Sequence, residues 1–215
     1  MKSLVPFEPC SSVCVSGQTG SGKTQWVYKF LKHLPEMYRE DPASQVLYCY
    51  GIHQDLFDHM ERTLPNFFSK QGLPSPEELD DFTRDRKHKL IIIDDLMHEV
   101  TRNKDMELLF TQGCHHRKIS VILITQNLYP GGKHARTIAL NTWYMVLMKN
   151  VRDVSQVGIL GRQLYPGKSK GFMKAYEDAL THGYFLVDTS PHAEDKYRLR
   201  TNIFPGDYPI VYRLT

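Results

Sequence analysis

Val13-Cys14-Val15-Ser16-Gly17-Gln18-Thr19-Gly20-Ser21-Gly22-Lys23-Thr24 reads as a short buried strand, a glycine-rich turn and the start of a helix. Gly17, Gly22, Lys23 and Thr24 fill the pattern G-x-x-x-x-G-K-[ST]. A chance glycine-rich turn is the alternative. The β-branched apolar strand before the motif and the helical pattern after it are the context the motif requires, so the reading is a nucleotide-phosphate loop.

Each part has a physical reason. Glycines lack a Cβ, so the turn wraps closely around a phosphate and points its backbone N–H groups inward as an anion nest. Residues 17–24 (Gly17, Gln18, Thr19, Gly20, Ser21, Gly22, Lys23, Thr24) are therefore the expected nucleotide-binding set. The helix starting near Lys23 adds the positive end of its dipole. Lys23 supplies a point charge for the β- and γ-phosphates, and Thr24 supplies a hydroxyl for Mg²⁺. ATP and Mg²⁺ are thus the expected cofactors.

A chain of 215 residues suits one domain over residues 1–215. Its 41% apolar and 24% charged residues exclude a disordered or fibrous class. No apolar run reaches membrane-span length, and residues 1–8 have no signal-peptide core, so no membrane partner is expected. Cys10, Cys14, Cys49 and Cys114 are too scattered for a disulfide framework or a paired zinc site, which suits a reducing compartment. Cys114-His115-His116 invites a metal reading, but adjacent helical residues point apart, so these read as helix-end residues. Residues 1–100 hold 11 Lys and Arg against 15 Asp and Glu, and residues 101–215 hold 16 against 9. The basic C-terminal part hints at a polyanionic partner, although an ordinary solvated surface has the same look at this magnitude.

After the loop, Trp26, Val27, Phe30, Leu31 and Leu34 repeat at helical spacing up to Pro35. Residues 45–50 form a second strand, and residues 53–70 read as partly helical. Ser75, Pro76 and Glu78 make a helix start with a capping box. Lys89-Leu90-Ile91-Ile92-Ile93-Asp94-Asp95 is a strand buried on both faces, as in parallel sheets, with two acids at its C-terminal end. Ligands bind at that end of an open α/β sheet. Asp94 fits the Walker-B role on Mg²⁺, and Asp95 can orient or deprotonate the attacking water; it can also merely cap the next turn.

Residues 104–116 read as a helix. Residues 119–127 form a further strand whose polar end, Gln126, is sited to sense the γ-phosphate or the water, or simply to start a loop. Residues 142–148 form a strand, 153–164 a helix, 165–171 a basic turn, and 184–188 and 197–200 late strands. The alternation argues an α/β fold with a mostly parallel central sheet and helices on both faces. Together with the phosphate loop it resembles the three-layer P-loop NTPases of the ASCE or RecA-like kind. The core spans about residues 10–165, with a C-terminal extension, 166–215, packed on it.

The phosphate loop, Ile91-Ile92-Ile93-Asp94-Asp95-Leu96-Met97, His115-His116-Arg117-Lys118-Ile119-Ser120-Val121 and Thr125-Gln126-Asn127 together resemble the FtsK–HerA superfamily. Within it they are most similar to the poxvirus-type DNA-packaging ATPases of large DNA viruses and Polinton transposons. The resemblance covers residues 10–165. It implies an ATP-hydrolysing ring, a hexamer or pentamer, that pumps double-stranded DNA into a preformed capsid. It implies an arginine finger supplied in trans; Arg117 is the first choice, then Arg152 and Arg162, although Arg117 equally suits a helix end. It matches Lys23 and Thr24 to the phosphate and magnesium positions, Asp94 to the Walker-B acid and Gln126 to the sensor. Asp95 stands where many relatives carry Glu.

The expected function is a DNA-translocating ATPase, a viral genome-packaging motor subunit, with a capsid or portal protein as a further partner. Lys168 and Lys170, beside Gly167 and Gly171, are the candidate DNA-backbone contacts. The expected location is inside a host cell, in nucleus or cytoplasm, or in the virion. A nucleotide-dependent assembly switch, another DNA-processing ATPase and a small-molecule phosphotransferase are the alternatives.

Overall fold

The computed structural model describes residues 6–113 and 117–214. One nine-stranded sheet organises them, in the order β3-β2-β4-β5-β1-β6-β7-β8-β9. Six strands run parallel: β1 (Ser12–Ser16), β2 (Gln45–Tyr50), β3 (Phe67–Gln71), β4 (Lys89–Asp94), β5 (Ile119–Thr125) and β6 (Tyr144–Leu147). β7 (Phe185–Asp188), β8 (Leu199–Thr201) and β9 (Ile210–Val211) continue the sheet antiparallel. β5 lies between β1 and β4, so the phosphate-loop strand and the acid-bearing strand are one strand apart.

Alternation along the central strands explains why both faces are covered. Leu90, Ile92, Ile122 and Ile124 pack into one core with Trp26, Val27 and Phe30. Ile91, Ile93, Val121 and Leu123 pack into a second with Val100, Met106 and Phe110. Successive strand side chains point to opposite faces, so a continuous apolar run demands helices on both. The helices are α1 (Lys23–Lys32), α2 (Leu34–Met37), α3 (Asp55–Thr63), α4 (Pro76–Phe82), α5 (Met97–Val100), α6 (Lys104–Leu108), α7 (Ala135–Leu140), α8 (Val154–Leu164) and α9 (Ser169–Leu180). A π-helical turn, Leu109–Gly113, follows α6. Among the described residues, no helix is long and apolar enough to cross a membrane.

Local signals explain several boundaries. The Ser75 hydroxyl accepts from Glu78 N while the Glu78 carboxylate accepts from Ser75 N, the reciprocal capping box expected for α4. α1 ends at Lys32, short of the expected stop at Pro35, and Leu34 and Pro35 form the first turn of α2. Gly161 on α8 is required by packing, because a Cβ there would lie 2.6 Å from the Phe172 ring of α9.

Several segments differ from the sequence reading: α2, α5 and β9 were not expected, and Tyr197, expected in a strand, ends a 3-10 turn before β8. Residues 67–71 are the edge strand β3, which the partly helical reading of 53–70 did not include; only Phe67 of that strand is buried, so the apolar signal was thin. α7 occupies residues 135–140, between the strands expected at 119–127 and 142–148, where no helix was expected. Residues 165–171 are only partly a turn, because α9 begins at Ser169. Cys114, His115 and His116 lie outside the described residues.

Candidate active site

The parallel register brings the polar strand ends to one level. Ser16 pairs with Thr125, and Asp94 pairs with Ile124. Residues 17–22, the Asp94-Asp95 pair and Gln126 therefore leave the sheet side by side at its C-terminal edge, where α/β sheets bind ligands.

The loop is tied to its neighbours on both sides. Gly17 N donates to Thr125 O (3.2 Å), and Gln18 N donates to Lys149 O (3.2 Å). Gly20 and Gly22 have φ of 77° and 93°, left-handed values that favour glycine. A Cβ at either would meet no heavy atom within 4 Å, so backbone conformation and not crowding favours glycine at both. Gly17 is needed for space, since a Cβ there would sit 2.6 Å from Ser21 Oγ. Lys23 Nζ donates to Gly17 O (2.7 Å) and Gln18 O (2.9 Å), which folds the ammonium over the loop. Burial lowers its pKa, while the nearby Asp94 and Asp95 charges pull it up.

Asp94 is 7% exposed. Its Oδ2 accepts from the Tyr48 phenol at 2.6 Å. Burial raises the Asp94 pKa, against the Tyr48 hydrogen bond, and Asp95 adds to the rise. Tyr48 is itself held protonated by burial and by the Asp94 charge, with the Thr24 hydroxyl as its other polar neighbour. Thr24 and Asp94, from two elements, thus gather around one phenol. A hydroxyl and a single carboxylate, both hard oxygen donors beside a phosphate loop, fit Mg²⁺, which keeps waters and takes substrate phosphates as further ligands. Among the described residues, no group of three or more His, Cys, Asp or Glu offers another metal site.

Asp95 is exposed and adopts φ 57°. Its backbone turns away from the strand at that point, and Asp tolerates the left-handed region better than most residues. Gly51 crowds this turn. Its N–H donates to Asp94 O (3.0 Å), and a Cβ on it would lie 2.8 Å from Asp95 O.

Gln126 lines a polar cavity of about 270 Å³ with Gln18, Thr19, Asn127, Asn150, Arg152, Asp153 and Gln156. Arg152 shares this cavity with Gln18 and Thr19, so it is a cation beside the loop of its own chain. Arg117 is not brought there. It precedes β5 at the opposite edge of the sheet, about 20 Å away along a seven-residue strand, and its Nη1 contacts Asp80 Oδ1 at 2.6 Å. Arg162 lies on α8, where its Nη1 would be 3.7 Å from a Cβ at Gly158. Lys168 donates to Leu214 O (3.1 Å), and Lys170 lies in the first turn of α9; both are exposed and far along the chain from the loop. Sequence reasoning missed Tyr48 as a site residue. Its one signal is a polar-tipped aromatic inside a buried strand.

No protein-family model and no curated protein matches the sequence. The fold is similar to B204, the DNA-packaging ATPase from Sulfolobus turreted icosahedral virus, with a TM-score of 0.58 at 9% identity over 97% of this chain and 100% of that one. It is also similar to the genome-packaging NTPase B204 from Sulfolobus turreted icosahedral virus 2 in complex with ATP-gammaS, with a TM-score of 0.54 at 10% identity over 96% and 98% of the two chains. At such identities the likeness speaks for the fold: the chain has the α/β architecture of P-loop ATPases.

Proposed function

We propose that this chain is a Mg²⁺-dependent ATPase that translocates double-stranded DNA, working as the packaging-motor subunit of a viral genome. The observation that carries the hydrolytic part is the alignment of phosphate loop, acid pair and polar sensor at one level of the sheet. A loop alone serves kinases and hydrolases alike. A second acid and a glutamine beside it suit the activation of water.

In this reading Lys23 holds the β- and γ-phosphates, and Thr24 and Asp94 hold Mg²⁺. Bound Mg²⁺ neutralises charge shared between those phosphates. Asp95 orients the water, and Gln126 contacts the γ-phosphate. Arg152 stabilises charge developing on the γ-phosphate within its own chain, and Arg117 can serve only a neighbouring subunit of a ring. DNA is supported by the shared fold with proteins described as packaging DNA and by the excess of Lys and Arg after residue 100. Lys168 and Lys170 remain the candidate backbone contacts. Alanine at both should weaken DNA binding and flatten its salt dependence.

The test is ATP hydrolysis across a series of protein concentrations, with and without double-stranded DNA, beside Lys23→Ala. Turnover per subunit that rises with concentration and with DNA is the expected result. Turnover indifferent to both overturns the motor and leaves the nucleotide-dependent switch in its place.

A further inference from the structure

We propose that Tyr48 is a positioning residue of the magnesium site, holding the Asp94 carboxylate so that one oxygen stays bonded to the protein and the other faces the metal beside Thr24. The inference rests on the magnesium-ATPase reading and extends it to a residue outside both nucleotide motifs.

The geometry is specific. Tyr48 is wholly buried on β2, opposite Ile92 in the register that carries Asp94 two residues further on. Its ring is boxed by Phe57 and Phe67, with centroids 4.7 and 5.9 Å away, so the phenol has little freedom to swing. The hydroxyl donates to Asp94 Oδ2 at 2.6 Å and has Thr24 as its other polar neighbour. A hydrogen bond that holds one oxygen of a buried carboxylate narrows its rotamers and so the directions open to the other oxygen. Groups that hydrogen-bond a metal ligand in this way tune affinity without touching the ion.

The test compares wild type with Tyr48→Phe, which keeps the ring and removes the hydroxyl. Mn²⁺ serves as the metal probe, its binding to the ADP complex followed by electron paramagnetic resonance. A fluorescent ATP analogue reports nucleotide affinity in EDTA. The expected result is metal affinity about 10- to 100-fold weaker, with metal-free nucleotide affinity unchanged. Metal affinity within twofold of wild type overturns the role of Tyr48. An equal loss of nucleotide affinity in EDTA also overturns it, because the hydroxyl would then support the fold or the nucleotide loop and not the metal. Wild-type protein that binds no Mn²⁺ with ADP overturns the magnesium-ATPase reading itself, a result distinguishable from failure of the Tyr48 variant alone.

Discussion

Gln18 and Val151 are joined across the phosphate loop: the Gln18 side-chain oxygen accepts from Val151 N at 3.0 Å, next to the bond from Gln18 N to Lys149 O. The loop therefore grips the segment that carries Arg152. Gln18→Ala should lower kcat about fivefold, the worth of one hydrogen bond of about 1 kcal/mol, with little change in KM. Steady-state kinetics check this. An equal rise in KM with kcat unchanged would place Gln18 in binding alone.

Arg152 and Arg117 make opposite predictions. If Arg152 acts on its own chain, Arg152→Ala loses about 10²- to 10³-fold in kcat, and mixing it with Lys23→Ala subunits restores nothing. If Arg117 acts across a subunit boundary, Arg117→Ala mixed with Lys23→Ala regains activity at the mixed interfaces. Activity of the mixtures as a function of their ratio separates the two.

Asp94 trades stability for chemistry. Burial raises its pKa in the fold, so its ionised form costs stability at neutral pH, and the cost vanishes as pH falls below the unfolded carboxyl value. Asp94→Asn should abolish Mg²⁺-dependent turnover yet raise Tm at pH 7, by about 2–4 °C per kcal/mol of relieved desolvation. The gain should shrink toward pH 4. A Tm below wild type at pH 7 would mean that the carboxylate is better satisfied than its burial indicates.

Gly51 guards the backbone of Asp95. A methyl group there would meet Asp95 O at 2.8 Å, well inside contact distance. Gly51→Ala should cost about 1–3 kcal/mol of stability and depress kcat more than nucleotide affinity, which calorimetry and turnover measure together. Unchanged turnover would detach the left-handed turn at Asp95 from catalysis.

Local chemistry was legible in the sequence where neighbours in the chain carry it. The glycines at 20 and 22, the capping box at Ser75 and Glu78, and the doubly buried run 90–93 each follow from residues close together. β3, β9 and α7 were not legible. Short elements at a sheet edge or under a loop bury few side chains, so they leave no period to read.

The sequence by itself determined that a phosphate loop, an acid-tipped strand and a glutamine-tipped strand exist, because each is a contiguous pattern with its own backbone preference. The tertiary structure alone decided which residues meet. Tyr48 reaches Asp94 across 46 residues and Gln18 reaches Val151 across 133. Those meetings depend on strand order and register, which arise when all the strands pack at once and which no stretch of chain carries alone.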